Sequence, residues 1–215
     1  MKVLELFAGT GSIGNAFRAR GHEVFAVDWD EAHDGMAFYA DIEFLTAEDI
    51  LLRFGRPDVI WTSPDCTTYS VAGIRYHRVR NLRTQECDPV SEYAKKCDRL
   101  NQNLQNLISE LDPKLWFIEN PVDALRKMRF MRKLPRYTIT YCQYGFPYQK
   151  PTDIWTNHAS PQFKPPCKRG DTCHISAGRG DNKFSSGIRN KHKCSVIRAQ
   201  LCEHIVNISE SYMEE

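Results

Sequence analysis

The sequence predicts an α/β fold built on a mostly parallel, doubly wound sheet, and three observations predict it. Short apolar runs rich in Val, Ile, Phe and Trp alternate with helix-like stretches; a long amphipathic segment separates two of the runs; and glycine-rich or acidic turns close them. The runs fall at residues 2 to 7, 23 to 28, 58 to 62, 115 to 119 and 137 to 142, with helix-like segments between the first four. Crossover helices would cover both faces of such a sheet, which places ligands at the carboxyl ends of the strands.

Each element has its own signature. The first run, VLELF, leads into Gly9-Thr10-Gly11-Ser12-Ile13-Gly14, whose spacing and strand-to-helix context suit a nucleotide-binding turn. The second, VFAVDWD, ends at Asp28 and Trp29, and a third short segment precedes Asp41-Ile42. The run at 58 to 62 leads into the polar, Pro-rich loop SPDCTTYSVAG. Next comes the clearest helix, from about Glu92 to Leu111, where Tyr93, Cys97, Leu100, Leu104, Leu107, Ile108 and Leu111 recur at steps of three and four until Asp112-Pro113 stops it. That stripe reads as core. The run at 115 to 119, LWFIENP, carries Glu119 and Asn120 at its end.

After about Asn157 this alternation breaks into a segment rich in Pro, Gly, Lys and Cys, followed by a helix-like stretch around Ile197 to Tyr212. The expected organisation is a catalytic domain over 1–157, a short basic recognition region over 158–194, and a closing C-terminal helix within 195–215.

Composition narrows the class. With 215 residues and 41% hydrophobic content the chain can bury one good-sized core. It has no charged leader and no apolar stretch near the roughly 20 residues that a membrane span requires, so a soluble, cytoplasmic protein is expected. The eight cysteines follow no small-scaffold rhythm, which makes reduced thiols the default. The net charge of +2 hides an asymmetry: residues 164 to 194 hold eight Lys or Arg against two Asp, a net of +6 that leaves −4 for the remainder. A basic appendage on a mildly acidic body suits a polyanionic partner, and a merely solvated loop is the competing reading.

The turns carry the chemistry. Glycines let a ligand approach the backbone after the first strand, Asp28 can accept both hydroxyls of a ribose, Trp29 can stack on an adenine, and Asp41-Ile42 can read the adenine edge. Together they predict an adenosine-containing cofactor without choosing between NAD and S-adenosylmethionine. Cys66 stands just beyond a strand end, where an exposed nucleophile belongs, and Glu119 ends the next long strand. Neighbouring parallel strands would bring the thiol and the carboxyl group into one cleft.

By these residues the chain resembles the DNA cytosine-5 methyltransferases over about residues 3 to 157. FAGTGS looks like the family's cofactor loop, DWD like its acid-aromatic pair, ADI like its adenine contact, PDCTTYSVAG like its nucleophile loop, ENP like its glutamate motif, and YGFPYQKPT like the stretch leading into its paired arginines. The resemblance implies a Rossmann-like S-adenosylmethionine-dependent methyltransferase fold. It implies a cofactor held by Phe7, Ala8, Gly9, Thr10, Gly11, Ser12, Asp28, Trp29, Asp41, Ile42 and Pro64. It also implies catalysis by Cys66 as nucleophile and Glu119 as acid, with Asn120, Lys150 and Thr152 beside them. The substrate would be cytosine in duplex DNA, flipped out of the stack; the basic run Arg75, Arg78, Arg80 and Arg83 reads equally as a hold on flanking phosphates or as a solvated loop, and Ser70, Lys168, Arg169 and Arg179 complete the candidate DNA contacts. Compact, phage-borne members of the family point to a bacterial or phage-infected host cell.

The chain also departs from the pattern. Asp65 stands where the family carries proline, and a carboxylate beside a thiol disfavours the thiolate. Lys150 and Thr152 occupy the arginine positions, and SVIRAQLCEHIV lacks the family's final Gly-Asn. The recognition region is so short that sequence reading is either brief or shared with a partner chain or second copy. Two further readings stay open: the same chemistry on RNA or with a modified donor, and an inactive cofactor- or DNA-binding regulatory subunit. A small region that cannot bury a core can use a metal. Cys167, Cys173, His174 and Cys194, with His192 nearby, are the candidate structural zinc ligands, against the alternative of reduced, partly buried cysteines.

Overall fold

The computed structural model describes residues 1–168, 170–175 and 196–214. Arg169, Arg179, His192 and Cys194 lie outside the described residues.

The elements are β1 (Lys2–Leu6), α1 (Ser12–Ala19), β2 (Glu23–Asp28), β3 (Phe38–Tyr39), α2 (Ala47–Arg53), β4 (Val59–Thr62), α3 (Ile74–His77), β5 (Arg78–Arg80), β6 (Cys87–Pro89), α4 (Glu92–Leu111), β7 (Leu115–Pro121), β8 (Arg136–Thr140), β9 (Pro151–Thr156) and α5 (Ala199–Glu214). Short 3-10 turns cover Ala124–Lys127 and Tyr141–Tyr144. The seven-stranded sheet has the order β3-β2-β1-β4-β7-β9-β8. Neighbours are parallel from β3 through β7, and β9 alone runs against the rest. The strand order reverses between β1 and β4, so the crevice at their carboxyl ends is the switch point of a doubly wound sheet.

The period-two alternation of strand side chains divides the core between the two faces. Leu4, Ile60 and Ile118 join Leu104, Leu107 and Leu111 of α4 on one face. Val3, Trp61 and Phe117 join Ile13 and Phe17 of α1 and Leu201, Ile205 and Val206 of α5 on the other. Residues adjacent in one strand thus serve different cores, which is why these strands read as continuous apolar runs.

Helix boundaries follow from local chemistry. The Ser91 side chain accepts a bond from the Ala94 amide at the start of α4, and Asp112 closes that helix with a left-handed backbone. Thr46 and Asp49 form a reciprocal capping box on α2. The expected helix 92–111 matches α4, with one exception in its stripe: Tyr93 is 42% exposed and turns to the nucleophile loop. The structure adds strand β9 and a β5-β6 hairpin outside the main sheet. No described helix is long and apolar enough to cross a membrane.

Candidate active site

Four strand ends meet at the switch-point crevice. Past β1 the chain turns through Phe7 at φ 54, Gly9 at φ 52 and Gly11 at φ 63. A left-handed phenylalanine is costly backbone, of the kind retained at functional turns. Gly14 serves close packing, since a Cβ there would stand 2.4 Å from the Glu5 carboxylate that accepts the Gly14 amide. The turn is tied to the second strand: the Gly9 amide donates to Asp28 Oδ2 at 2.8 Å and the Ala8 amide to the Val27 carbonyl. Thr10 and Ser12 bond each other at its rim.

Asp28 is buried while Trp29 beside it is 65% exposed, an indole face available for stacking. Ile42 is fully buried. Partial burial pushes the Asp41 carboxyl up, but the bond and charge of Lys96 and the Glu43 amide outweigh it and hold the group below the usual carboxylate range.

The nucleophile loop follows β4. Cys66 is half-buried, and its carbonyl accepts the Tyr69 and Ser70 amides. Ser70 caps the turn through the Thr67 carbonyl. Gly73 closes it so tightly that an added Cβ would lie 2.1 Å from the Thr67 carbonyl oxygen. Asp65 is turned onto the Thr67 amide at 2.6 Å and the Tyr93 hydroxyl. Burial pushes the Cys66 thiol up to about 12; the charges of Asp65 and Glu119 add to this, and that of Lys150 opposes them.

On the neighbouring parallel strand, Glu119 is buried and its Oε1 accepts the Tyr141 hydroxyl at 2.9 Å. Burial and the Glu119 charge drive the Tyr141 hydroxyl far up, so it stays a donor. Asn120 donates to the Pro64 carbonyl at 2.8 Å, pinning the nucleophile loop to β7, and its buried Oδ1 has no partner among the described residues. The Lys150 ammonium lies 4.1 Å from the centre of the Tyr141 ring. Thr152 is fully buried and spends its hydroxyl on the Lys150 carbonyl, so it forms wall rather than a displayed donor.

Sequence reasoning missed Tyr141 and Tyr93, since both lie in apolar patterns. It misplaced Arg78. That side chain is fully buried, pairs with both carboxylate oxygens of Asp98, and donates to the Thr68, Cys87 and Ala94 carbonyls and to the Thr68 hydroxyl. All its donors are committed, so Arg78 holds the loop and does not reach phosphate. Arg75 is exposed, stacked on Tyr76. With Arg80, Lys127 and Arg132 it lines an open groove of about 620 Å³. Lys168 is exposed, its backbone amide bound to Asp171.

Three expected metal ligands converge. Cys167, Cys173 and His174 come together with Cys142 of the second 3-10 turn, the ligand atoms all within 4.8 Å of one another. Cys142, which the sequence reading did not name, adds a fourth ligand atom, because the chain folds residues 164–168 and 170–175 back onto residues 140–149; Cys194 lies outside the described residues.

A glycine turn at the switch point with an acid at the next strand end defines a Rossmann-like, nucleotide-cofactor type of sheet, and a cysteine and a glutamate at adjacent strand ends narrow the class. The family model for C-5 cytosine-specific DNA methylase matches residues 1–156, and the chain belongs to that family. A Dnmt2 methyltransferase from S. pombe superposes with TM-score 0.50 at 16% identity, over 73% of this chain and 48% of that one. A DNMT2 mutant from Spodoptera frugiperda gives 0.51 at 18%, over 76% and 52%. The methyltransferase EhMeth from Entamoeba histolytica gives 0.52 at 12%, over 76% and 55%. At these identities the likeness speaks for the fold alone, and the chain spans about half the length of these structures. No curated protein matches the sequence.

Proposed function

We propose that this chain transfers a methyl group from S-adenosylmethionine to carbon 5 of cytosine in DNA, through a covalent adduct of Cys66 with a flipped-out base. The observation that supports this most is the placement of Cys66 and Glu119 at the ends of β4 and β7, which are parallel neighbours, with Asn120 bonding one loop to the other strand.

The switch-point residues fit the cofactor. The left-handed Phe7, Gly9 and Gly11 leave an open turn of backbone, Asp28 closes it from the next strand, and Trp29 presents a free ring face. Phe7 to Ser12, Asp28, Trp29, Asp41, Ile42 and Pro64 would hold it. When bound, S-adenosylmethionine supplies an electrophilic methyl group.

The chain's own residues prepare the acceptor. Carbon 5 of cytosine is a poor nucleophile, and attack by Cys66 on carbon 6 converts the ring to an enamine that accepts the methyl. With its thiol near 12, Cys66 is protonated in the resting protein. Thiolate then forms as the base enters, its proton passing to the Glu119 carboxylate, with the Lys150 charge favouring it. Glu119 donates to ring nitrogen N3 as charge builds there, and Tyr141 orients its carboxyl group. A base then takes the proton from carbon 5, and expulsion of the Cys66 thiolate restores the ring. Extrusion of the base costs a few kcal/mol, and phosphate contacts from Arg75, Arg80, Lys127 and Arg132, which line the open groove, would offset it.

Trapping on a duplex containing 5-fluorocytosine tests this reading, because fluorine blocks loss of the carbon 5 substituent and leaves the adduct in place. A covalent complex that needs both cofactor and Cys66 is expected. Trapping on RNA alone would move the activity to that polymer, and cofactor binding with no trapping on either would make the chain a regulatory subunit.

A further inference from the structure

Four sulfur and nitrogen atoms outside the catalytic crevice lie within 4.8 Å of one another, and three of their separations match the edges of a tetrahedral metal centre. With Zn–S near 2.3 Å and Zn–N near 2.0 to 2.1 Å, tetrahedral edges come to about 3.7 Å between two sulfurs and about 3.5 Å between sulfur and nitrogen. Here Cys142 and Cys173 Sγ are 3.7 Å apart, Cys167 Sγ lies 3.5 Å and Cys173 Sγ 3.4 Å from His174 Nδ1, and Cys142 to Cys167 is 3.1 Å. That last separation is far beyond a disulfide bond, and the three cysteines are free thiols.

The surroundings are already built. The Cys167 amide donates to the Thr140 hydroxyl and its carbonyl accepts from Gln149. The Ile175 amide donates to the Pro147 carbonyl, the Lys164 amide to the Tyr144 hydroxyl, and Lys164 Nζ to the Gln143 carbonyl. Three soft thiolates and one imidazole in a closed tetrahedron suit zinc in a structural role, with no coordination position left for substrate.

We propose that Cys142, Cys167, Cys173 and His174 bind one zinc ion that staples the segment 164–175 to the catalytic turn. Cys142 directly follows Tyr141, whose hydroxyl holds Glu119, so the staple also sets the catalytic carboxylate. The zinc site is independent of which polymer is methylated, and its test reads metal rather than activity.

The full chain, purified without chelator, is assayed for metal content by mass spectrometry, and its cobalt form by absorption. About one zinc per chain and a tetrahedral cobalt spectrum with thiolate charge-transfer bands are expected. Cys142→Ser and Cys173→Ser should each lower zinc occupancy at least tenfold, while Cys194→Ser retains it. Should the ligand variants fail to fold, mercurial titration of the wild-type chain should release its zinc as three thiols react. Less than a tenth of a zinc per chain after growth with zinc, a Cys142–Cys167 disulfide by intact mass, or full zinc in Cys142→Ser would overturn the assignment.

Discussion

The nucleophile loop at the catalytic crevice and the segment 164–175 outside it are anchored by opposite means. The nucleophile loop is locked to α4 and the β5-β6 hairpin by a charged network: Arg78 pairs with Asp98, Asp98 accepts the Tyr69 hydroxyl at 2.7 Å, and Asn101 donates to that hydroxyl. The segment 164–175 has few buried apolar side chains and holds to residues 140–149 through backbone bonds and a thiol cluster. The nucleophile loop can be rigid before any ligand arrives because its charges neutralise one another inside the protein. The second lacks a core of its own, and its cohesion rests on sulfur chemistry.

Breaking the charged network should have the largest effect. Arg78→Leu leaves the Asp98 carboxylate buried without its partner and should cost about 3 to 5 kcal/mol, read as a lower denaturation midpoint; loss below about 1 kcal/mol would show that the loop does not depend on it. Glu5, under the cofactor turn, extends the comparison to a buried carboxyl with no cation at hydrogen-bond distance among the described residues. Burial raises it from 4.5 to about 7, so the folded chain keeps the proton while the unfolded chain loses it. Its contribution is whole below about pH 4.5 and is lost as pH rises toward 7. Glu5→Gln, which can still accept the Gly14 amide, should therefore add about 3 kcal/mol above pH 7 and little at pH 4.5, measured by urea unfolding at the two values. Equal effects at both would contradict it.

Smaller changes sharpen the picture of the nucleophile loop. Ser91→Ala removes the cap of α4, the helix that carries Tyr93 and Asp98, and should cost about 1 kcal/mol. Asp65→Asn removes a charge that raises the Cys66 thiol and should speed its alkylation by iodoacetamide several-fold at pH 8, with folding unchanged. An unchanged rate would mean that Asp65, held by Thr67 and Tyr93, is screened from the sulfur.

These anchors explain what was legible beforehand. Strands β1, β2, β4 and β7 stood out because burial on both faces makes largely apolar runs, and α4 because its stripe keeps the helical period. Strand β9, PTDIWT, opens on proline and carries Thr152 and Asp153; the latter is buried only because Arg126 and Thr138 satisfy it. Arg75, Arg78 and Arg80 look alike in the sequence, and only the distant Asp98 and Tyr69 make one of them internal. Cys142 reads as the end of an apolar run, and its role depends on a chain reversal that brings Cys167 back across 25 positions. Cys66, Glu119 and the glycine turn were legible because strand ends of this fold are where ligands bind.

The most direct test of the central claim is transfer of radiolabelled methyl from S-adenosylmethionine to unmethylated DNA, with the product base identified by mass and Cys66→Ala as control. Label in 5-methylcytosine that vanishes in the variant is the predicted result. Label that persists in Cys66→Ala, or none in the wild type while cofactor binds, would contradict it.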